Sequence, residues 1–152
     1  MTKSEKPVSV ELHHSEGLKF EVNVNGRKLK LNSSDMMEQA FTPMELFLVA
    51  LAGCTAMDVQ WIMDRQRQKL NKFEINISGR RRADDPRYYE RIDMHYSLSG
   101  SDVRKDAVER AIRLSQEKYC SVRAMIKDAV KLKITYAIST GPQGETRYTY
   151  GP

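Results

Sequence analysis

The chain has 152 residues, of which 40% are hydrophobic and 30% are charged, and its formal net charge is +5. This length and composition exclude a disordered or disulfide-stapled chain and predict a single domain over residues 1–152. The modest positive charge by itself indicates no particular partner. The N-terminal segment MTKSEKPVSV lacks the apolar core of a signal peptide, so we expect a cytoplasmic protein.

The first third of the chain contains three short segments in which apolar and polar residues alternate, as in half-buried strands. Asn25 and Gly26 separate the second segment from the third, and both tolerate the positive φ of a tight type I′ turn. The sequence therefore predicts a three-stranded N-terminal meander in which the second and third strands pair. Its apolar positions are Val8, Val10, Leu12, Phe20, Val22, Val24, Leu29 and Leu31.

A long apolar segment, 44–63, follows Thr42 and Pro43, which suit an N-cap and a first helical position. Because this helix has almost no polar face, we expect it to be central and buried. Glu45 and Asp58 interrupt the apolar run, which argues against a membrane span. A domain of this size has few strands with which to cover such a helix, so we also expect a homodimer.

The second half of the chain predicts two strands, a helix, a short helix and a final strand, which gives an α+β fold overall. Ser101 and Asp102 are suited to cap the first of these helices. The residues from about 139 to 152 are rich in Gly and Pro, and we expect them to form a loose tail. The expected elements are 73–77, 92–98, 103–114, 121–129 and 132–136.

Three segments around the two cysteines resemble the cysteine segments of the OsmC/Ohr family. They are Thr42–Leu46, Ala52–Val59 and Lys118–Val122. The order of elements also agrees with that family over nearly the whole chain. The resemblance implies an OsmC-like fold in an intertwined homodimer with sites at its interface, and the chain is identified as a divergent member.

The resemblance also implies a reaction for the two cysteines, which is the thiol-dependent reduction of organic hydroperoxides. Cys54 matches the peroxidatic cysteine, whose thiolate attacks the O–O bond and becomes a sulfenic acid. Cys120 matches the resolving cysteine, which closes a disulfide. No bound cofactor is implied. An external dithiol must reopen the disulfide, and in Ohr-type members this dithiol is a lipoyl group.

The family's activating arginine and the glutamate that holds it do not carry over cleanly. The family's glutamate directly follows the proline of the helix start, but Met44 follows Pro43 here. Glu45 lies one residue later, on the opposite face of the helix from Cys54, and suits an ordinary first-turn acid. Arg27 follows the Asn-Gly turn and suits an exposed hairpin residue. Glu45 and Arg27 remain candidates for support of the site.

Asp58 is the third candidate for support, because it lies four residues after Cys54 on nearly the same helix face. A buried acid is costly unless it is paired, so we expect Asp58 to hold an Arg or Lys, either from its own chain or from across the dimer. If that cation also reaches Cys54, it replaces the missing arginine. Without such a cation, Asp58 would raise the pKa of the thiol and oppose catalysis.

Metal and nucleic-acid sites are the other possibilities that the residue types raise. His13, His14 and His95 have no ligand spacing to either cysteine, so we expect solvated histidines and no metal site. The basic clusters at 65–69 and 80–82 lack a recognised motif and interleaved aromatic residues, so we expect no nucleic-acid partner.

Three functional hypotheses remain open on the sequence alone. The first is a peroxide reductase, which requires the two cysteines to approach within disulfide distance and Cys54 to be accessible. The second is a redox-sensing or small-ligand-binding protein of the same fold without peroxidase turnover. The third is a protein with two inert, buried cysteines, since free Cys is among the most buried residue types. The enzyme hypothesis leads.

Overall fold

A computed structural model describes residues 7–33 and 39–151 of the chain. The chain divides into two compact units, Met1–Phe47 and Leu48–Pro152. The first unit contains a three-stranded sheet and the start of the long helix. The second contains the rest of that helix, a four-stranded sheet and the shorter helices. The prediction of a single domain over 1–152 stays a prediction.

The sheet of the first unit confirms the predicted meander, because neighbouring strands pair antiparallel in the order β1-β2-β3. The turn between β2 and β3 has Asn25 at φ 52° and Gly26 at φ 81°, as the sequence predicts. The amide of Gly26 donates to Oδ1 of Asn23 at 2.8 Å, which fixes the turn further. The strands are β1 (Glu11–Glu16), β2 (Lys19–Val24) and β3 (Arg27–Leu31).

The long helix α1, Pro43–Arg65, begins where the sequence predicts. The hydroxyl of Thr42 accepts a hydrogen bond from the amide of Glu45 at 3.2 Å, and the Glu45 carboxylate accepts one from the amide of Thr42 at 2.7 Å. This reciprocal pair is a capping box, which satisfies two amides that a helix N-terminus leaves without partners.

Burial of α1 within the single chain is limited to one stripe, so the prediction that the helix is buried all round, which includes cover by a second subunit, stays a prediction. The buried residues recur at helical spacing, while Met57 is 76% and Trp61 49% exposed on other faces. The rest of the second unit contacts one side of the helix, which explains the difference. The buried residues are Leu51, Thr55, Val59, Ile62 and Met63.

The helix α1 is also long and apolar enough to cross a membrane, by length and composition alone. The core helix of a soluble protein passes the same test. Here the side chain of Thr55 is hydrogen-bonded to Tyr96 of the four-stranded sheet at 2.8 Å. This contact and the buried stripe show that α1 packs on the four-stranded sheet. The absence of a membrane partner stays a prediction.

The second unit contains a four-stranded sheet in the order β4-β5-β6-β7. The central pair, β5 and β6, is parallel, and the helices α2 and α3 lie between these two strands in the chain. The other two pairs are antiparallel. The elements are β4 (Lys72–Arg81), β5 (Tyr89–Ser99), α2 (Lys105–Leu114), α3 (Ser121–Ile126), β6 (Lys131–Ser139) and β7 (Glu145–Tyr150).

The strand β7 corrects the prediction of a loose tail after Ser139. Its residues pair antiparallel with β6, from Ser139 opposite Glu145 to Ile134 opposite Tyr150. The ring of Tyr148 stacks on that of Tyr136, with centroids 5.0 Å apart. Gly141, Pro142 and Gly144 lie before the strand, and four of the six strand residues are β-forming Thr or Tyr.

The start of α2 corrects the prediction that Ser101 and Asp102 cap this helix. The helix begins at Lys105, and the two predicted capping residues lie in a turn before it. The amide of Arg104 donates to Oε1 of the buried Gln68 at 2.8 Å. A side chain distant in sequence therefore satisfies the helix start. The apolar positions predicted to face the core are buried in β5 and in or just before α2, and half-buried in β4. The buried ones are Ile92, Met94, Tyr96, Leu98, Val103, Ala107, Val108, Ala111 and Ile112, and the half-buried ones are Phe73, Ile75 and Ile77.

Candidate active site

The position of Cys120 is set by a turn of π-helix, Ser115–Tyr119, that directly continues α2. The amide of Cys120 donates to the carbonyl of Ser115, five residues back, at 2.9 Å. Cys120 then acts as the N-cap of α3, and its sulfur accepts a hydrogen bond from the amide of Arg123 at 3.3 Å. Cys120 thus lies at the junction of two helical segments, which is where the family resemblance places the second cysteine.

Cys54 lies within α1, and the fold brings it to Cys120. The two sulfur atoms and a carboxylate oxygen of Asp58 all lie within 4.8 Å of one another. A disulfide requires the sulfurs at about 2 Å, so a small movement of the side chains suffices to form one. Cys54 is half-buried, whereas Cys120 is only 3% exposed. Cys54 is therefore the more exposed of the two cysteines.

Within the single chain Asp58 is held by a hydroxyl, and an Arg or Lys partner from a second subunit stays a prediction. The hydroxyl of Ser115 donates to Oδ2 of Asp58 at 3.0 Å. Within residues 7–33 and 39–151, no Arg or Lys forms an ion pair with Asp58. Burial raises the pKa of Asp58, and the hydrogen bond from Ser115 lowers it in part.

A buried hydrogen-bond network that the sequence does not predict continues from Ser115, the partner of Asp58. The hydroxyl of Thr55 lies 2.9 Å from that of Ser115 and 2.8 Å from that of Tyr96. The side-chain amide of Gln116 donates to Thr55 at 3.2 Å and to Tyr96 at 3.4 Å. Burial raises the pKa of Tyr96 above its ordinary value, so this phenol stays neutral. The signal for this network in the sequence is Thr55, a hydroxyl residue in a largely apolar segment of α1.

The thiol of Cys120 is shifted strongly toward its protonated form. The pKa of Cys120 is raised to about 11, with burial as the largest cause and the neighbouring Cys54 and Asp58 as smaller ones. The hydrogen bond from the amide of Arg123 acts in the opposite direction and lowers this pKa in part. At neutral pH Cys120 is therefore a thiol.

Glu45 and Arg27 have local contacts within the first unit. The carboxylate of Glu45 belongs to the capping box with Thr42, nine residues before Cys54 on the same helix. Arg27 is exposed at the start of β3, and its Nε donates to the carbonyl of Val24 at 3.3 Å. These contacts match the ordinary roles that the sequence suggests for both residues.

The three histidines have other contacts or are exposed. Nδ1 of His95 lies 2.7 Å from the hydroxyl of Thr135 on the neighbouring strand. His13 and His14 are exposed in β1. None of the three belongs to the described group of Cys and Asp ligand atoms at Cys54.

These features define a class of protein, a small α+β protein with a paired-thiol site between a long helix and a helix junction. The sequence model of the OsmC-like protein family matches residues 35–135. The chain belongs to the OsmC-like protein family, which confirms the resemblance found in the sequence.

Individual relatives agree with this assignment. Protein YhfA of Escherichia coli strain K12 is 39% identical over 107 residues, which cover 70% of this chain and 78% of YhfA. The crystal structure of a hypothetical protein from Aquifex aeolicus VF5 is similar with a TM-score of 0.80 and 34% identity, covering 90% of this chain and 98% of that one. An organic hydroperoxide resistance protein OsmC from Legionella pneumophila shares the fold, with a TM-score of 0.68, 17% identity, and coverage of 91% and 100%.

Proposed function

We propose that this chain reduces organic hydroperoxides, with Cys54 as the peroxidatic and Cys120 as the resolving cysteine. The observation that carries the proposal is the approach of the two sulfurs to within 4.8 Å, with Cys54 half-buried and Cys120 buried. An accessible thiol beside a buried one suits a reaction in which the peroxide oxidises the first sulfur and the second thiol then reacts with the oxidised sulfur. The Legionella pneumophila relative, which carries the name organic hydroperoxide resistance protein, supports the same assignment.

The proposed reaction transfers two electrons from the two sulfurs to the peroxide. The Cys54 thiolate attacks the distal oxygen, the O–O bond breaks, and the alkoxide takes a proton and leaves as an alcohol. The Cys54 sulfenic acid then reacts with the Cys120 thiol, forming the S–S bond and releasing water. An external dithiol, such as a lipoyl group, gives two electrons and two protons to restore both thiols. No bound cofactor is required.

Activation of Cys54 in this proposal involves Asp58 in place of the arginine that the family resemblance implies. A carboxylate oxygen of Asp58 lies within 4.8 Å of the Cys54 sulfur, close enough to take the thiol proton after a side-chain rotation. A carboxylate that has not taken up this proton disfavours a neighbouring thiolate, whereas a cation would stabilise it, because like charges repel. We therefore propose a reductase that reacts slowly with peroxide.

The proposal includes the assembly and compartment that the sequence predicts, a cytoplasmic homodimer. Support comes from α1, where the large apolar side chains of Val49, Met57 and Trp61 are 58%, 76% and 49% exposed in the single chain. A second subunit would cover such side chains.

The test is the single-turnover loss of free thiol when reduced protein meets tert-butyl hydroperoxide. The chain has two cysteines, so thiol counting reports the site directly. We expect both thiols to be lost in the wild type with a Cys54–Cys120 disulfide as product. Cys54→Ser should be unreactive, while Cys120→Ser should stop at a sulfenic acid that dimedone traps. Unreactive thiols in the wild type would exclude the peroxidase function.

The alternative is a redox-sensing or small-ligand-binding function without turnover, and a cavity beside Cys120 favours it. This cavity of about 590 Å³ has apolar walls that include Leu132, Ile134 and Tyr150. Its charged residues are three cations and one acid, Lys118, Arg123, Lys127 and Glu117. Such a lining suits a small amphipathic acid. Saturable binding of a fatty acid by reduced protein whose thiols survive peroxide would support this alternative over the enzyme.

A further inference from the structure

The three atoms that meet at the site form a ligand set as well as a redox pair. Cys54 and Asp58 are four residues apart on α1, a spacing that puts two side chains on one helix face and that helical zinc sites use. Cys120 approaches the same point from the helix junction. The two sulfurs and the carboxylate oxygen lie within 4.8 Å of one another.

We infer that reduced Cys54, Asp58 and Cys120 bind one zinc ion, a function beyond the proposed peroxide chemistry. Two sulfur ligands select a borderline-soft cation such as Zn²⁺ over Mg²⁺ or Ca²⁺, which prefer oxygen ligands alone. Three protein ligands leave the fourth tetrahedral position to water.

The distances in the site are compatible with a tetrahedral ion. With Zn–S bonds of about 2.3 Å, two sulfurs of a tetrahedral site lie about 3.8 Å apart. The ligand atoms here lie within 4.8 Å of one another, so the two sulfurs need to close by at most about 1 Å and each sulfur–oxygen pair by at most about 1.3 Å. We expect rotations of the two Cys side chains and the Asp side chain to supply this movement.

Hydrogen bonds to the ligand atoms form the outer shell that metal ligands require. The hydroxyl of Ser115 donates to Oδ2 of Asp58 at 3.0 Å and orients the carboxylate. Oδ1 accepts no side-chain or backbone hydrogen bond from the described parts of the chain and is available to the ion. The amide of Arg123 donates to the Cys120 sulfur at 3.3 Å, which stabilises a thiolate there.

The charge of the ligand set also favours a cation. A carboxylate and two thiolates bring up to three negative charges together, and over the described ranges no Lys or Arg forms an ion pair with Asp58. A divalent ion would neutralise two of these charges at the point where they meet. Cys54 and Asp58 are both half-buried, so an ion from solvent can reach them.

Zinc binding and disulfide formation exclude each other, since both use the same two sulfurs. The exclusion rests on the proposed function, because when a hydroperoxide takes two electrons from the zinc-bound thiolates and two protons from solvent, the products are a disulfide, an alcohol and water. The released Zn²⁺ does not change its charge. The oxidised chain should therefore have lost its site.

The test is a titration of reduced wild-type protein with Co²⁺, a spectroscopic substitute for zinc, followed by competition with Zn²⁺. We expect one Co²⁺ per chain, a sulfur-to-cobalt charge-transfer band in the ultraviolet, and displacement by Zn²⁺. Cys120→Ser should lose most of the band, and Asp58→Asn should raise the Kd about tenfold or more. Asp64→Asn is the matched control, because Asp64 is an exposed acid on the same helix whose carboxylate accepts a hydrogen bond from Gln60 at 3.0 Å.

Absence of the band in reduced wild type would overturn the inference, as would a band that Asp58→Asn and Asp64→Asn affect equally. Circular dichroism of each variant checks that it is folded. The readout needs no peroxide, so the two proposals fail separately. A chain that binds Co²⁺ but keeps its thiols in peroxide contradicts the reductase alone, and one that forms the disulfide but binds no Co²⁺ contradicts the zinc site alone.

Discussion

The hydroxyl of Ser115 donates a hydrogen bond of 3.0 Å to Oδ2 of Asp58, two residues that are 57 positions apart in the chain. Ser115 is fully buried and opens the π-helical turn, while Asp58 lies on α1 one turn after Cys54. The bond therefore connects the two segments that supply the cysteines. The hydrogen-bond partner of the acid at this site is therefore a neutral hydroxyl, and the cluster of Ser115, Asp58 and Cys120 leads to three predictions.

Replacing Ser115 with Ala should raise the pKa of Asp58 beyond its already raised value. Burial raises this pKa and the Ser115 hydroxyl counteracts it, so loss of the hydroxyl removes the opposing effect. The measurement is a carbon-13 NMR titration of the Asp58 carboxyl group in metal-free protein. Ser78→Ala, at an exposed position of β4, should leave the titration unchanged. A lowered pKa in Ser115→Ala would contradict the assigned hydrogen bond.

Asp58→Asn should change how the free energy of unfolding depends on pH. The folded-state pKa of Asp58 is raised above the ordinary value of 3.8, so the folded chain binds the extra proton more tightly than the unfolded chain. The stabilisation from this proton is complete below pH 3.8 and is lost as pH rises through the folded-state pKa. Asn does not titrate, so the variant should gain stability relative to wild type as the pH rises. Urea unfolding with a chelator at several pH values measures this, and a difference that shrinks with rising pH would refute it.

Alkylation of Cys120 should require an unusually high pH. Burial is the largest cause that raises the pKa of this thiol from 9.0 to about 11, and burial persists when Cys54 is replaced. In Cys54→Ser we therefore expect the rate of iodoacetamide labelling to reach its midpoint above pH 9.0, though below the wild-type value. The same variant in urea is the control and should titrate near pH 9.0. A folded-state midpoint at or below the control would contradict the buried setting of Cys120.

Gly100→Ala should destabilise the fold, whereas Gly53→Ala should not. A Cβ at Gly100 would lie 2.4 Å from the backbone carbonyl oxygen of Lys69 and 2.8 Å from Val103, and the backbone cannot yield easily. We expect a loss of about 1–3 kcal/mol in the free energy of unfolding. A Cβ at Gly53, inside α1, meets nothing within 4 Å, so Ala should add about 0.5–1 kcal/mol. Denaturant unfolding of both variants measures the two changes in the free energy of unfolding. Equal changes would contradict the close contact of Gly100 with Lys69 and Val103.

The amides of β7 should be protected from hydrogen exchange, although the sequence suggests a loose tail. Its pairing with β6 covers residues 145–150, and Tyr148 stacks on the fully buried Tyr136. We expect slow exchange in 145–150 and faster exchange in the turn at Gly141–Gln143. Truncation after Thr140 should expose the edge of β6 and lower the stability. Exchange of 145–150 as fast as in an unfolded chain would contradict the strand.

The sequence predicted those parts of the fold whose cause is local. Asn25 and Gly26 form their turn because of their own backbone preferences, and Thr42 caps α1 through a residue three positions away. The helical spacing of Ala107, Val108, Ala111 and Ile112 marks their buried face without knowledge of what covers it.

The features that the sequence did not predict depend on residues far apart in the chain. The strand β7 depends on β6, and the start of α2 depends on Gln68, which is 36 residues before Arg104. The same holds at the site, where the resemblance indicated the two cysteines but the partner of Asp58 was expected to be a cation. No periodicity or motif indicates that Ser115 takes that place, because Ser is common at buried and exposed positions alike.

The π-helical turn makes the site depend on the number of residues in one short segment. Such a turn holds one residue more than an α-helical turn of the same height, and here the segment is Ser115–Tyr119. If one residue were deleted from it, α2 could continue as a regular helix, and Cys120 would swing about 100° around the helix axis. The thiol would then leave the neighbourhood of Cys54 with both cysteines still present. A single-codon deletion in this segment would therefore abolish the pairing of the thiols as completely as a substitution of Cys120.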